Sequence, residues 1–230
     1  MSPLISIVVP VFNEARTVAE VIERLIAIDL PAPREILVVN DGSTDGTREV
    51  LDRIAARPEL RIIHAERNGG KGSAIRIGFA QASGTIVAIQ DADLELDPAQ
   101  IADLVKPILD GRSRVVYGSR FLAGRPDAPW LSVFANQVLT GITNLLYGGR
   151  ITDMETCYKI MAREVAASLH LESNRFDIEP EITAKLLRDG HSILELPIHF
   201  NPRSRAQGKK IGWRDGFRAI QVLFKYRFSR

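Results

Sequence analysis

Four carboxylates follow one apolar run in the stretch IQDADLELDP, residues 89–98. Carboxylates this close repel one another, so either a cation shares their site or the side chains are well solvated. Alternation along an extended segment would place Asp91, Asp93 and Glu95 on one side. Three hard oxygen donors of this kind suit Mg²⁺ or Mn²⁺. Asp97, which precedes a proline, is instead predicted to cap the next helix.

Two further polar clusters also follow apolar runs. Asn13 and Glu14 lie in VPVFNEA, and Asp41 begins the polar part of VVNDGSTDGT. The stretch RNGGKGS surrounds Lys71 with glycines that could approach phosphates closely. Each cluster alone is equally well explained by turn formers and helix caps. Three together favour a common site.

Alternating short strands and amphipathic helices position these clusters. The predicted strands are LISIVVP, EILVVN, RIIH and TIVAIQ. Helical periodicity begins near Val18 and Ile101 and is also predicted over residues 45–56 and 70–82. Strand and helix alternating at this spacing predict an α/β fold with a mostly parallel sheet, whose strands end along one edge. The three polar clusters should therefore meet there.

The second half of the chain alternates less regularly. After RVVYGSR, a loop over residues 122–129 precedes a helix near 130–147 and a short strand around CYKIM. A helix beginning near DIEPEITAKLL, a strand SILELPIHF and a terminal amphipathic helix complete the predicted elements. No internal repeat or low-complexity linker interrupts the chain. A single domain over residues 1–230 is therefore expected.

Composition excludes several classes of protein. With 45% hydrophobic and 25% charged residues among 230, the chain can bury a full core, and disorder is not indicated. The single cysteine, Cys157, cannot form an intramolecular disulfide, and no charged-then-apolar leader opens the sequence, so a cytoplasmic protein is predicted. No window reaches the roughly 18 consecutive apolar residues of a spanning helix.

The basic residues are concentrated at the end of the chain. Residues 201–230 hold nine Lys and Arg against one Asp, whereas residues 1–200 hold 21 basic and 27 acidic residues. Phosphates or an anionic membrane surface are the favoured partners. A nucleic-acid-binding module would leave the acidic strand ends unexplained. The aromatic residues after Trp213 either lie at a membrane interface or pack on the core.

Several motifs together identify a family. IVVPVFNE, VVNDGSTDGT, NGGKGSAIRIGF and DADLELDP, in this order and spacing, resemble the family 2 glycosyltransferases with the Rossmann-like GT-A nucleotide-sugar fold. YGSR, DMETCYK, FDIEPEI and NPRSRAQGKKIGWRDG are similar to the branch of dolichyl- and polyprenyl-phosphate hexose synthases. The resemblance covers nearly the whole chain. It implies a nucleotide-sugar half (1–118), an acceptor half (119–211) and a terminal helix (212–230).

The resemblance implies roles for individual residues. Asp91, Asp93 and Glu95 are the expected ligands of Mg²⁺ or Mn²⁺. Asp93, Arg120 and Arg203 are the expected catalytic residues. Arg120 matches an arginine that contacts the acceptor phosphate or the donor diphosphate, and with Arg203 it is expected to position the attacking phosphate. The residues expected to bind the nucleotide sugar are Pro10, Phe12, Glu14, Asp41, Lys71, Asp91, Ala92 and Lys209.

The resemblance also implies a reaction. An inverting transferase would move mannose or glucose from a UDP- or GDP-hexose to a polyprenyl phosphate at a membrane surface. This acceptor is largely dianionic at neutral pH, since its second pKa is about 6, so it needs no general base. The four histidines occur in no base-like motif. DMETCYK departs from the small-residue version typical of mannose synthases, so the donor sugar stays open.

Alternatives remain at several positions. A hydroxyl acceptor on a glycan or small molecule would need a base, and Asp153 or Glu155 could serve; otherwise they order their loop or contact substrate. Glu179 and Glu181 either bind sugar hydroxyls or favour a helix start. Cys157 is interpreted as a small buried residue. A sugar-nucleotide-binding regulator without turnover is a further alternative, which the intact DAD motif disfavours.

Overall fold

A seven-stranded sheet forms the centre of the computed structural model, which describes residues 2–124, 126–202 and 213–228. Its strands are β1 (Ile5–Val11), β2 (Arg34–Asn40), β3 (Leu60–His64), β4 (Ile86–Ile89), β5 (Val115–Ser119), β6 (Lys159–Ala162) and β7 (Leu194–Pro197). Their order is β3-β2-β1-β4-β6-β5-β7. All neighbouring pairs are parallel except the two that involve β6. The predicted mostly parallel sheet is confirmed.

Eight α-helices connect or flank the strands of the described chain. They are α1 (Val18–Ala27), α2 (Thr47–Ile54), α3 (Lys71–Gln81), α4 (Ile101–Leu109), α5 (Trp130–Tyr147), α6 (Arg163–Ser168), α7 (Ile178–Arg188) and α8 (Trp213–Phe228). A 3₁₀ turn, Pro98–Gln100, precedes α4. The sequence analysis did not predict α6, which follows β6 directly and has only six residues.

The central strands are apolar because helices cover both of their faces. Every residue of β4 is buried, and β1 exposes only Pro10 in part. The approach of α3 to β1 is close enough that a Cβ added at Gly78 would overlap the side chain of Val8. The carboxyl ends of β1, β2 and β4 are thereby held at one edge.

Helices α5, α7 and α8 enclose a second, smaller core. It consists of Leu139, Ile151, Met154, Ala184, Ala219, Leu223 and Tyr226. One face of α8 packs on the body through Ala219, Leu223 and Tyr226, so the alternative in which Phe217, Phe224 and Phe228 pack on the core is wrong. Phe217, Phe224 and Phe228 remain exposed on its other face. Across the ranges given above, none of the helices is long and apolar enough to span a bilayer.

Candidate active site

The loops after β1 and β2 are hydrogen-bonded to each other. The Asn13 amide donates to Ser43 Oγ (3.0 Å), and the Thr44 amide donates to Asn13 Oδ1 (2.8 Å). The Ala15 amide donates to Asp45 Oδ2 (3.1 Å). Asn13 has a φ of 54°, a conformation that asparagine tolerates better than most residues. These polar residues hold the two strand ends together. They therefore have a structural role, as the turn-former interpretation of these clusters predicted.

Asp41 anchors the glycine-rich segment before α3. Its side chain is buried, and its two carboxylate oxygens accept the amides of Gly69 (2.8 Å) and Gly70 (2.7 Å). Gly70 has a φ of 97°, and a Cβ there would overlap the carbonyl oxygen of Asn174. Asp41 thus fixes the start of α3, and its expected contact with the nucleotide base stays a prediction.

Lys71, the first residue of α3, lies between two carboxylates. Its Nζ is 2.9 Å from Asp91 Oδ1 and 2.9 Å from Glu179 Oε1. Burial alone would lower the pKa of Lys71, but the charges of Asp91 and Glu179 outweigh it and raise that pKa well above its usual value. Lys71 therefore carries its charge at neutral pH and holds Asp91 at the sheet edge.

Glu179 links Lys71 to a second, fully buried lysine. Glu179 Oε2 is 2.6 Å from the Nζ of Lys159, which also donates to the carbonyl oxygens of Met154 (2.9 Å) and Thr156 (2.5 Å). Sequence reasoning did not single out Lys159 and left Glu179 open between a cap and a sugar contact. The signal available in the sequence was a lysine as the one charged residue of the predicted strand CYKIM.

The segment that carries the acidic motif is a turn and not an extended strand. Strand β4 ends at Ile89, residues 92–93 form a turn and 94–95 a bend, and Leu94 has a φ of 62°. We call residues 91–97 the acid loop. In it the Glu95 amide donates to Asp93 Oδ1 (3.1 Å). The strand alternation predicted for Asp91, Asp93 and Glu95 is therefore wrong, because it applies only to extended backbone.

Other residues of the acid loop have structural partners. The Thr17 hydroxyl donates to the carbonyl oxygen of Ala92 (2.7 Å), which ties the loop to the residue before α1. Asp97 Oδ1 accepts the amide of Ala99 (3.1 Å) with Pro98 as the first residue of the turn. The predicted helix cap at Asp97 is confirmed.

Arg120 and Asp153 form a buried two-point ion pair on the other side of the site. Arg120 Nε and Nη2 each donate to a different carboxylate oxygen of Asp153 at 2.7 Å, and the Arg120 amide adds a bond of 3.0 Å. Asn136 Nδ2 also donates to Asp153 (3.1 Å). Burial would lower the pKa of Arg120, but Asp153 raises it. Asp153 is fully buried and orients Arg120, which argues against its role as a general base.

Arg120 lies near the acid loop. Its guanidinium carbon is 5.3 Å from the centre of the Phe200 ring, a cation–π distance. The next residue, Asn201, donates its amide to the carbonyl oxygen of Glu95 (2.8 Å). Within the described chain, no hydrogen-bond partner is found for Arg120 Nη1.

Glu155 is the carboxyl of the site with the most perturbed acidity. Burial raises its pKa from 4.5 to about 7, with the charge of Lys159 opposing the increase and that of Glu179 adding to it. Its Oε1 is buried and accepts no hydrogen bond from a described residue. A carboxyl in this state is poised to exchange a proton near neutral pH.

The remaining predicted residues are distributed as follows. Pro10 and Phe12 are half-buried at the carboxyl end of β1, and Glu14 is buried after it. The Glu14 amide donates to Thr47 Oγ1 (2.9 Å), and Glu14 Oε2 lies 3.0 Å from Thr17 Oγ1, the longer of two alternatives for the single Thr17 hydroxyl hydrogen. Arg203 and Lys209 lie outside the described residues.

Among the described side chains at this edge of the sheet, carboxyl groups outnumber cations. The carboxyl groups are Asp91, Asp93, Glu95, Asp153, Glu155 and Glu179, and the cations are Lys71, Arg120 and Lys159. No three His, Cys, Asp or Glu side chains of the described ranges converge as a metal-binding group. Mg²⁺ and Mn²⁺ need only one or two carboxylates when substrate phosphates and water complete their shell. Asp91 and Asp93 supply carboxylate oxygens, the donor type that such a cation accepts.

Three comparisons with known proteins agree with this geometry. The sequence profile of Glycosyl transferase family 2 matches residues 6–169. Glycosyltransferase AglD of Haloferax volcanii is 28% identical over 207 residues, which cover 86% of this chain and 33% of that protein. The dolichol-phosphate mannosyltransferase of Pyrococcus furiosus is 28% identical over 213 residues, or 90% of this chain and 59% of that protein. The chain therefore spans less than two thirds of both relatives.

Among solved structures, glucosyl-3-phosphoglycerate synthase from Mycobacterium tuberculosis has the same fold. That structure was determined with Mn²⁺, UDP and phosphoglyceric acid. It superimposes with a TM-score of 0.78 at 20% identity, covering 98% of this chain and 79% of that chain. The GT-A fold predicted from the sequence is confirmed.

Proposed function

Because the chain belongs to glycosyltransferase family 2, we propose that it transfers a hexose from UDP or GDP to the phosphate of a polyprenyl lipid. The observation that carries this proposal is the position of Arg120 between the acid loop and an apolar groove. Phe200 and Asn201 connect Arg120 to Glu95 on one side. Phe121, the next residue, lines the groove on the other.

The groove suits an isoprenoid chain. It encloses about 570 Å³ and is lined by Phe121, Gly124, Trp130, Val133, Phe134 and Gln137. Helix α5 supplies most of this lining and contains no charged residue in its 18 positions. Trp130, Leu131 and Phe134 are each more than half exposed. An apolar surface of this kind beside Arg120 supports a lipid phosphate as acceptor and contact with a membrane surface.

The donor side is supported by the acid loop and the start of α3. Asp91 and Asp93 would hold Mg²⁺ or Mn²⁺ together with the donor diphosphate, and Glu95 lies next to them. A divalent cation there would neutralise the charge that develops on the departing diphosphate. The ion pair with Lys71 keeps Asp91 in place. The glycine segment that Asp41 holds allows the backbone to approach the phosphates.

The proposed reaction is an in-line displacement. An oxygen of the lipid phosphate attacks the anomeric carbon and forms a new C–O bond. The bond from that carbon to the diphosphate oxygen breaks, and UDP or GDP leaves with the electron pair. The nucleophile is already ionised, so no proton needs to be removed. Arg120 positions the attacking phosphate through its remaining N–H donors.

Arg120 cannot supply the whole positive charge for a dianionic acceptor. Its guanidinium is already paired with Asp153 through two bonds of 2.7 Å. This pairing fixes the guanidinium plane and offsets much of its charge. The proposal therefore assigns the further charge to basic residues of the segment that contains Arg203 and Lys209.

One observation favours a second candidate function. Glu155 has a pKa of about 7 and a buried oxygen without a described partner. These properties suit a general base. Transfer to a hydroxyl group of a glycan or small molecule would use such a base.

A donor and acceptor screen tests the proposed function. UDP- and GDP-hexoses are incubated with short polyprenyl phosphates and Mg²⁺ or Mn²⁺, and products are identified by mass. The expected product is a hexosyl polyprenyl phosphate with release of UDP or GDP. Transfer to sugar hydroxyls but never to lipid phosphate would overturn the proposal in favour of the second candidate.

A further inference from the structure

We infer that Glu179 is a positioning residue that couples the donor-side Asp91 to the acceptor-side loop, residues 153–157. The coupling passes through two lysines, one on each side of the Glu179 carboxylate. The inference rests on the proposed function for its naming of donor and acceptor sides. Its test measures nucleotide binding and does not depend on the acceptor.

Each oxygen of Glu179 has its own lysine. Oε1 lies 2.9 Å from Lys71 Nζ, an ion pair without hydrogen-bond geometry, and Oε2 accepts a hydrogen bond of 2.6 Å from Lys159 Nζ. The side chain is almost fully buried in the first turn of α7, so water does not replace either contact. Rotation of this carboxylate about its last torsion would break one or both contacts.

On the donor side, Glu179 determines how Lys71 meets Asp91. Lys71 Nζ is 2.9 and 3.1 Å from the two Asp91 oxygens while it also contacts Glu179. Without the Glu179 charge, Lys71 would have one carboxylate partner instead of two. It would then bind Asp91 more closely and compete with the cation and diphosphate for that carboxylate.

On the acceptor side, Glu179 holds the lysine that organises the 153–157 loop. Lys159 donates to the carbonyl oxygens of Met154 and Thr156 within this loop. The same loop presents Asp153, which orients Arg120. A fully buried lysine requires a counter-charge, and Glu179 supplies it at 2.6 Å. One carboxylate therefore supports both halves of the site.

The test compares Glu179→Gln with Glu181→Gln. Glu181 lies two positions further along α7, is equally buried and pairs with Lys185 at 2.6 Å. Binding of UDP or GDP, whichever the wild type binds, is measured by calorimetry with Mn²⁺ and without acceptor. Glu179→Gln should weaken nucleotide binding about tenfold and increase the Mn²⁺ concentration required. Glu181→Gln should lose stability but keep the affinity of the folded protein.

A double-mutant cycle distinguishes coupling from general loss of structure. In a Lys71→Met background the path from Glu179 to Asp91 is absent, so adding Glu179→Gln should change nucleotide affinity less than twofold. If Glu179→Gln alone does not fold, the double variant Glu179→Gln/Lys159→Met is measured in its place, because it also removes the buried cation that would be left without a partner. Additive effects in the cycle, or equal loss of affinity in Glu181→Gln, would overturn the inference.

Discussion

Two aspartates of the acid loop, Asp93 and Asp97, have the same chemistry and different surroundings. Asp97 is exposed and caps the turn before α4. Asp93 is half-buried next to Asp91, and its Oδ1 accepts the amide of Glu95, a bond that an asparagine could keep. This bond does not depend on the charge of Asp93, which the proposed function assigns to the cation site.

Replacing Asp93 separates a role in sugar transfer from a role in the stability of the fold. Asp93→Asn should reduce sugar transfer by about a thousandfold or more, because it removes a charged oxygen donor from the cation site. The melting temperature should remain within a few degrees of the wild type, since exposed and half-exposed changes cost little. Asp97→Asn is the matched control and should keep full transfer. Full activity in Asp93→Asn would exclude its assigned role.

Glu155 gives the protein a pH dependence with a definite sign. Its pKa is raised from 4.5 to about 7 in the folded protein, so the folded state retains a proton that the unfolded chain releases. Its stabilising contribution is complete below pH 4.5 and is lost as the pH rises through about 7. Urea unfolding should show that the free energy of unfolding of the wild type, relative to that of Glu155→Gln, falls by up to about 3 kcal/mol as the pH rises over this range. A difference that is constant with pH would contradict the assignment.

At the residue scale, the sequence predicted the polar groups that follow strands but not the pairs they form. Asp41, Asp91 and Asp93 could be selected because each follows an apolar run. The partners Glu179 and Lys159 could not, because Glu179 lies 108 positions from Lys71 and no spacing rule connects them. Only the packing of α7 against the sheet brings these charges together.

At the scale of elements, the start of α3 leaves no space for a side chain at Gly70. Gly70 has a φ of 97°, and a Cβ would overlap the Asn174 carbonyl oxygen. Gly111, after α4, has a φ of 70° with nothing within 4 Å of an added Cβ. Both glycines have a positive φ, although the ψ of 164° at Gly70 lies outside the left-handed helical region, and they differ in what surrounds them.

Alanine at these two positions tests that difference. Gly111→Ala should cost about 1 kcal/mol of unfolding free energy for the backbone conformation alone. Gly70→Ala should cost about 3 kcal/mol, because the overlap adds to the same strain, and it should also weaken nucleotide binding. Chemical denaturation of both variants measures the two costs. Equal costs would show that the loop yields to the added methyl group.

Helix and strand positions were predictable where periodicity extends over whole elements. Helices α3 and α5 match their predicted ranges to within one residue. The turn and bend at residues 92–95 were not predicted, since DADLE alternates like a strand although Leu94 adopts a positive φ. The antiparallel setting of β6 also depends on long-range pairing, between β4 and β5, that local sequence does not encode.

At the scale of the whole molecule, the groove beside Arg120 and the exposed faces of α5 and α8 lie outside the second core. Phe134 is 57% exposed at the groove, whereas Leu145 is 85% exposed near the other end of α5. In the proposed function, the lipid chain contacts Phe134 and does not contact Leu145.

Removal of one groove side chain should change the preference for acceptor length. Phe134→Ser should raise the KM for long-chain polyprenyl phosphate about tenfold, because burial of an aromatic side chain contributes about 1.5–3 kcal/mol. The KM for a short, water-soluble phosphate acceptor should change little. Leu145→Ser is the control with a comparable loss of exposed apolar surface. Equal effects on both acceptors would argue against the groove as the lipid site.

The central claim is that the new glycosidic bond is made to a phosphate. The most direct measurement offers the enzyme a nucleotide sugar with equal amounts of a polyprenyl phosphate and the corresponding polyprenol, and follows the product by ³¹P NMR. The account predicts that the phosphorus signal of the product no longer titrates at pH about 6, because the second ionisation is lost when the phosphate becomes a diester. Hexose attached to the alcohol, with the phosphate still titrating near that pH, would contradict it.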